Sequence, residues 1–125
     1  MGKAMSRLWA LRGATTVDAD TSEQVTERVT ELLAEMLERN GIAHDDIVSV
    51  IFTATDDIVS MFPATAARKA GLGDVPLLCA QELAIQGSMP LTIRVLMHVH
   101  TSADRGQLRH VYLHKARSLR EDLPG

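Results

Sequence analysis

The stretch Leu91-Thr92-Ile93-Arg94-Val95-Leu96-Met97-His98-Val99-His100-Thr101 alternates with a period of two. Leu91, Ile93, Val95, Met97 and Val99 fall on one side, and Thr92, Arg94, Leu96, His98 and His100 on the other. That is the signature of a strand with one face against a core. The other strands are read by comparison with it. Residues 47–55, entered from Asp45 and Asp46, are rich in β-branched side chains and read as a buried strand. Residues 8–14 form an apolar run with one arginine, Arg12, turning at Gly13, and read as the first strand. Residues 75–79 make a short strand, with Pro76 pointing to an edge or irregular position. A last strand is expected over 110–115, with Val111 and Leu113 opposed to His110, Tyr112 and His114.

Two helices separate these strands. Thr21 with Gln24 resembles a capping box, and Asp20 and Glu23 place negative charge at the same end. Val25, Val29, Leu32, Leu33, Met36 and Leu37 follow at spacings of three and four, which is one apolar stripe. Asn40-Gly41 supplies the stop, glycine being free to take the left-handed cap. A shorter helix opens at Pro63, suited to the first helical position, runs through 64–70 and stops at Gly71. The order is β-α-β-α-β-β-β. It predicts an α+β or mixed α/β domain around a single sheet, with the helices on one face.

With 125 residues the chain is expected to form one domain, residues 1–5 being a possible leader. Apolar residues make up 46% and charged residues 23%, which is globular composition. Aromatics are only 3% and the net charge is -3, which argues against stacking on single-stranded nucleic acid or a field drawn to phosphate backbones. No run approaches the ~20 apolar residues that cross a bilayer. The single cysteine, Cys79, excludes an internal disulfide and fits a reducing compartment, so a soluble cytoplasmic protein is expected, with neither nucleic acid nor membrane as partner. A domain this small has little spare wall with which to enclose a ligand.

Arginine inside strands is the least ordinary feature. One strand arginine usually sits on a solvated face, but Arg12 and Arg94 are each flanked by apolar residues. Guanidinium forks held on a sheet suit carboxylates. Arg68, Arg117 and Arg120 add charge but alone read as surface. Glu82, read alone, is a loop glutamate, and Cys79 a small buried thiol with no base marked for it. His98 and His100 share a strand face, a spacing that admits zinc, but no third ligand is marked. Phosphate-cradling glycine loops, nucleophile elbows and dinucleotide fingerprints are absent from the sequence. The residues alone describe a small domain that binds an anionic small molecule.

Four blocks carry a resemblance to the AroH-type chorismate mutases. They are Leu11-Arg12-Gly13-Ala14-Thr15-Thr16-Val17 before the long helix; Ala54-Thr55-Asp56-Asp57 through Phe62-Pro63-Ala64 to Arg68; Val75-Pro76-Leu77-Leu78-Cys79-Ala80-Gln81-Glu82; and Ile93-Arg94-Val95-Leu96-Met97 leading to Arg109-His110-Val111-Tyr112-Leu113. The resemblance spans about residues 6–123. It implies a mixed five-stranded sheet with one long and one short helix, assembling as a pseudo-α/β-barrel homotrimer with its sites between neighbouring subunits. It also implies the Claisen rearrangement of chorismate to prephenate, without cofactor or metal.

The reaction is unimolecular, so it needs a held conformer and a stabilised charge separation rather than an acid, base or nucleophile. By resemblance Arg94 stands beside the ether oxygen. Glu82 holds the substrate hydroxyl and balances the developing positive charge on the ring. Arg12 pairs with a carboxylate, Tyr112 hydrogen-bonds one, and Leu78, Cys79, Ala80 and Gln81 line the pocket. Phe62, Ala64 and Arg68 come from the adjacent subunit, and the C-terminal segment with Leu119 and Arg120 closes the mouth. Thr65 and Leu78 depart from residues seen in close relatives, lysine and a smaller polar residue respectively. Two rival readings are a non-catalytic trimeric binder of anions on the same scaffold and a metallohydrolase built on His98 and His100.

Overall fold

The computed structural model describes residues 6–120, the side chain of Arg120 excepted. It has five strands, β1 (Arg7–Thr16), β2 (Ile47–Ala54), β3 (Leu77–Gln81), β4 (Thr92–Thr101) and β5 (Val111–Tyr112), and two α-helices, α1 (Ser22–Asn40) and α2 (Pro63–Ala67). They form one sheet of order β3-β2-β4-β1-β5. The alternating strand β4 lies at its centre, antiparallel to β1 and β2, while β3 runs parallel to β2 and β5 parallel to β1.

The inner face of β4, Ile93, Val95, Met97 and Val99, is buried together with Leu11, Val50 and Phe52. Helix α1 lays Val25, Val29, Leu32, Leu33 and Met36 into the same core. Each such side chain contributes about 1.5–3 kcal/mol when fully buried, so this layer is the main source of stability. At its start, Thr21 Oγ1 accepts from the Gln24 N–H at 3.1 Å. The reciprocal half of the capping box is redirected, because Gln24 Oε1 takes the N–H of Asp18 instead. At its end Gly41 is left-handed, with φ 59°, and Ile42 N–H returns to Leu37 O.

Several expected boundaries move, each for a local reason. β1 continues past Gly13 to Thr16, because β4 pairs with all ten of its residues. The edge strand begins at Leu77 rather than residue 75: Pro76 has no N–H to donate, although its carbonyl accepts from Val50. The α-helical turn begun at Pro63 gives way after Ala67 to a wider turn over Arg68–Leu72, ended by Gly71 at φ 106°. The strand expected over 110–115 is corrected to two residues. His114 takes a positive φ of 54° and opens a 3-10 helix, His114–Arg120. His114 is therefore not a polar-face strand residue; its Nε2 meets Glu31 Oε1 of α1 at 2.7 Å.

Candidate active site

Strand pairing sets residues side by side on the sheet face turned away from α1. Ala80 pairs with Thr53, Thr53 with Arg94, Arg94 with Ala14, and Ala14 with Tyr112, giving one row across all five strands. The adjacent row holds Leu78, Ile51, Leu96 and Arg12. Arg94 and Arg12 are thus diagonal neighbours on one face of the sheet, although 82 positions separate them in sequence. The alternation that buries Val95 is what exposes Arg94.

Glu82 arrives from the end of β3. Its N–H donates to Ala54 O at 2.9 Å, which extends the β2–β3 ladder by one residue. Its side chain then reaches Arg94, with Nε to Oε1 at 2.9 Å. The terminal nitrogens of Arg94 have no partner among the described residues, so its fork is available to a ligand. Arg12, Glu82, Arg94 and Tyr112 line a single cleft of about 270 Å³, floored by Ala14, Ile51, Thr53 and Leu96. Two guanidinium groups face one carboxylate, leaving the cleft cationic inside an acidic chain.

The remaining expected residues lie elsewhere in this chain. Phe62, Cys79, Ala80 and Gln81 line a separate cleft of about 580 Å³ with Thr65, between β3 and the segment leading into α2. Ala64 is packed in the core, while Phe62, Arg68 and Leu78 are exposed. Leu119 packs on Ala14, Tyr112 and Ala116 at the end of the charged row. Arg120's side chain lies outside the described residues. The segment before Phe62 is anchored by Asp20, whose carboxylate accepts from the N–H groups of Val59 and Ser60 at 3.0 and 3.1 Å.

Thr53, Ile51 and Leu96 were missed as cleft residues. Their only signal is being in register with Arg94 and Arg12, and register requires knowing which strands pair. His98 Nδ1 meets Ser49 Oγ at 3.2 Å. Among the described residues no group of three or more His, Cys, Asp or Glu side chains is placed to hold a metal ion, so the hydrolase reading has no centre to stand on. No described helix is long and apolar enough to cross a membrane.

Comparison with known proteins converges on one family. The family model described as chorismate mutase type I matches residues 8–123. A protein named chorismate mutase AroH from Thermus thermophilus is 48% identical over 114 residues, covering 90% of this chain and 93% of that one. Its namesake from Bacillus subtilis (strain 168) is 41% identical, covering 90% of each. A solved chorismate mutase from Clostridium thermocellum superposes with a TM-score of 0.86 at 45% identity, over 88% of this chain and 98% of that one.

Proposed function

This chain belongs to the chorismate mutase type I family, and from that premise we infer how its cleft works. The protein is an isomerase that rearranges chorismate to prephenate, a step of aromatic amino acid biosynthesis. One observation carries the assignment of the site: Arg12, Glu82, Arg94 and Tyr112, scattered over a hundred residues, line one cationic cleft.

The substrate carries two carboxylates, a hydroxyl and a breaking ether bond. As the C–O bond lengthens, negative charge grows on the ether oxygen. A cation already fixed there binds the transition state better than the ground state. Arg94 takes that place, its guanidinium held beside the Glu82 carboxylate by an ion pair of 2.9 Å. Glu82 keeps a second oxygen for the substrate hydroxyl and offsets positive charge developing on the ring. Arg12 pairs with one carboxylate, and the Tyr112 hydroxyl, on the neighbouring strand, donates to the same group. The protein transfers no proton; it holds the compact conformer and supplies a preorganised field.

The active assembly is a homotrimer with each site between two subunits. A cleft of about 270 Å³ lies below the ~300–1,000 Å³ usual for small-molecule pockets, so one chain encloses the substrate poorly. Exposed apolar groups stand on both halves of the expected contact: Leu8 and Leu78 on the charged face, Val59 and Phe62 on the other cleft. In the trimer Phe62 and Arg68 of a neighbour wall the cleft, and Leu119 and Arg120 close it. Cys79 and Gln81, which alternate away from the charged row, reach the substrate through the cleft they share with Phe62. The single thiol suits the cytoplasm, where we place the enzyme.

The decisive experiment incubates purified protein with chorismate, follows its absorbance and identifies prephenate. Turnover is expected; binding without turnover would replace the isomerase with the anion-binding alternative.

A further inference from the structure

β5 is too short to complete the edge of β1. Its two residues pair with Gly13 and Ala14 and stop there, leaving the outward N–H of Arg12 beyond the reach of the β5 backbone. A side chain fills the gap: Arg12 N–H donates to His110 Nδ1 at 2.9 Å. The residue before the histidine is itself clamped. Asn40, at the end of α1, accepts from Arg109 N–H at 2.7 Å and donates to Arg109 O at 2.9 Å. The chain from α1 through Asn40 and Arg109 thus fixes the imidazole against the backbone of a cleft arginine.

We propose that His110 is a positioning residue for Arg12: its neutral ring, accepting at Nδ1, finishes the sheet ladder under the arginine that binds a substrate carboxylate. The inference rests on the function proposed above. Nδ1 has one lone pair, and Arg12 N–H uses it, so the proton sits on Nε2. Protonation would set two N–H groups against each other and release the backbone of residue 12. Burial, and then the Arg12 charge, hold the His110 pKa below its ordinary 6.5, so the accepting form prevails at neutral pH.

Other ionisable side chains stand around the ring. The charged groups there are Arg12 on β1, Arg105 on the turn after β4 and Arg109, beside His110 in sequence. His98 of β4, which shares a small cavity with His110, has its Nδ1 engaged by Ser49. Replacing His110 alone therefore leaves the His98–Ser49 contact in place.

The test measures kcat and KM for chorismate from about pH 7.5 to 5 in the wild type, His110→Ala and His110→Asn, a window centred near the ordinary histidine value. Asparagine places Oδ1 where Nδ1 stood and does not titrate. In His110→Ala, KM should rise about five- to tenfold, the loss of one hydrogen bond, with kcat within about twofold. His110→Asn should restore KM near pH 7, and the wild-type rise in KM toward acid should be absent from it. An unchanged KM in folded His110→Ala, or an acid rise that persists in His110→Asn, overturns the inference. Wild-type protein that never turns over chorismate overturns the proposed function instead. Ring nitrogen NMR of the wild type decides the tautomer independently: a protonated Nδ1 at neutral pH would also refute it.

Discussion

Glu82 Oε1 and Arg94 Nε sit 2.9 Å apart although a whole strand, β2, lies between the two strands that deliver them. The pair is half-exposed, with side chains 24% and 45% accessible, so its contribution to folding is small, about 0–1 kcal/mol. Its value is directional. In the proposed mechanism the carboxylate keeps that cation on the cleft side, toward a developing anion. Arg94→Ala is expected to lower kcat by about 100- to 1,000-fold or more, the usual loss of one preorganised donor at such a centre, while leaving Tm nearly unchanged. Near-normal kcat in that variant would remove Arg94 from the chemistry. Arg94→Lys should recover little, since a single ammonium cannot both bond Glu82 and present a planar fork.

Arg12 should behave differently. In the proposed mechanism it pairs with a carboxylate present in both the ground and transition states, so its loss is expected to act chiefly on binding. Arg12→Ala is expected to raise KM by about 10- to 100-fold, the range for a hydrogen bond to a charged group, with a smaller change in kcat. Steady-state kinetics that showed the reverse split would exchange the roles of the two arginines.

The strand at 91–101 was legible because both of its neighbours in space, a helix stripe inside and a charged face outside, impose period two. The buried face of β4 and the caps of α1 followed from local chemistry. The last strand was not legible. Val111, Tyr112 and Leu113 are all buried: Leu113 N–H makes the last ladder bond to Ala14 O, and at His114 the chain enters a 3-10 turn. Alternation in a short segment cannot distinguish that turn from a strand. At the site, Arg12 and Arg94 were visible as charges among apolar neighbours, but Glu82 reads as a loop residue until register brings it to Arg94. Its role is implied by the resemblance across four blocks, because no spacing within the sequence encodes the β3–β2–β4 pairing.

Gly13 explains why the residue next to Arg12 has no side chain. A Cβ there would lie 2.5 Å from Met36 Sδ and 3.2 Å from Leu32 Cδ1, both on α1 and fully buried. Gly13→Ala is therefore expected to cost about 1–3 kcal/mol through overpacking, read as a lower urea midpoint. The displacement would also shift β1, so KM should rise with it. A variant as stable as the wild type would show that Met36 can swing aside.

The histidine under Arg12 also links stability to pH. Its folded pKa lies below the unfolded 6.5, so between the two values the unfolded chain binds more protons and stability rises with pH. The contribution is present in full above pH 6.5, declines as pH falls below it and levels off beneath the folded pKa. Tm measured across that window should fall more steeply toward acid for the wild type than for His110→Asn. Parallel curves would mean that the ring does not sense folding.

The composite site makes the sharpest claim about assembly. Arg94 and Arg68 do not line a common cleft within one chain, yet both are assigned to one substrate. Arg94→Ala and Arg68→Ala subunits should each assemble into trimers of low activity. Co-expressed in equal amounts, they should regain activity that neither has alone. A wild-type site then requires an Arg68→Ala chain to supply Arg94 and an Arg94→Ala neighbour to supply Arg68. Random mixing creates that arrangement at about a quarter of the cyclic interfaces. Activity assays on the purified mixture, with light scattering to establish a mass of three chains, measure both halves of the claim. A mixture no more active than its parents would confine each site to one subunit, and a monomer that turned over chorismate at the full rate would do the same.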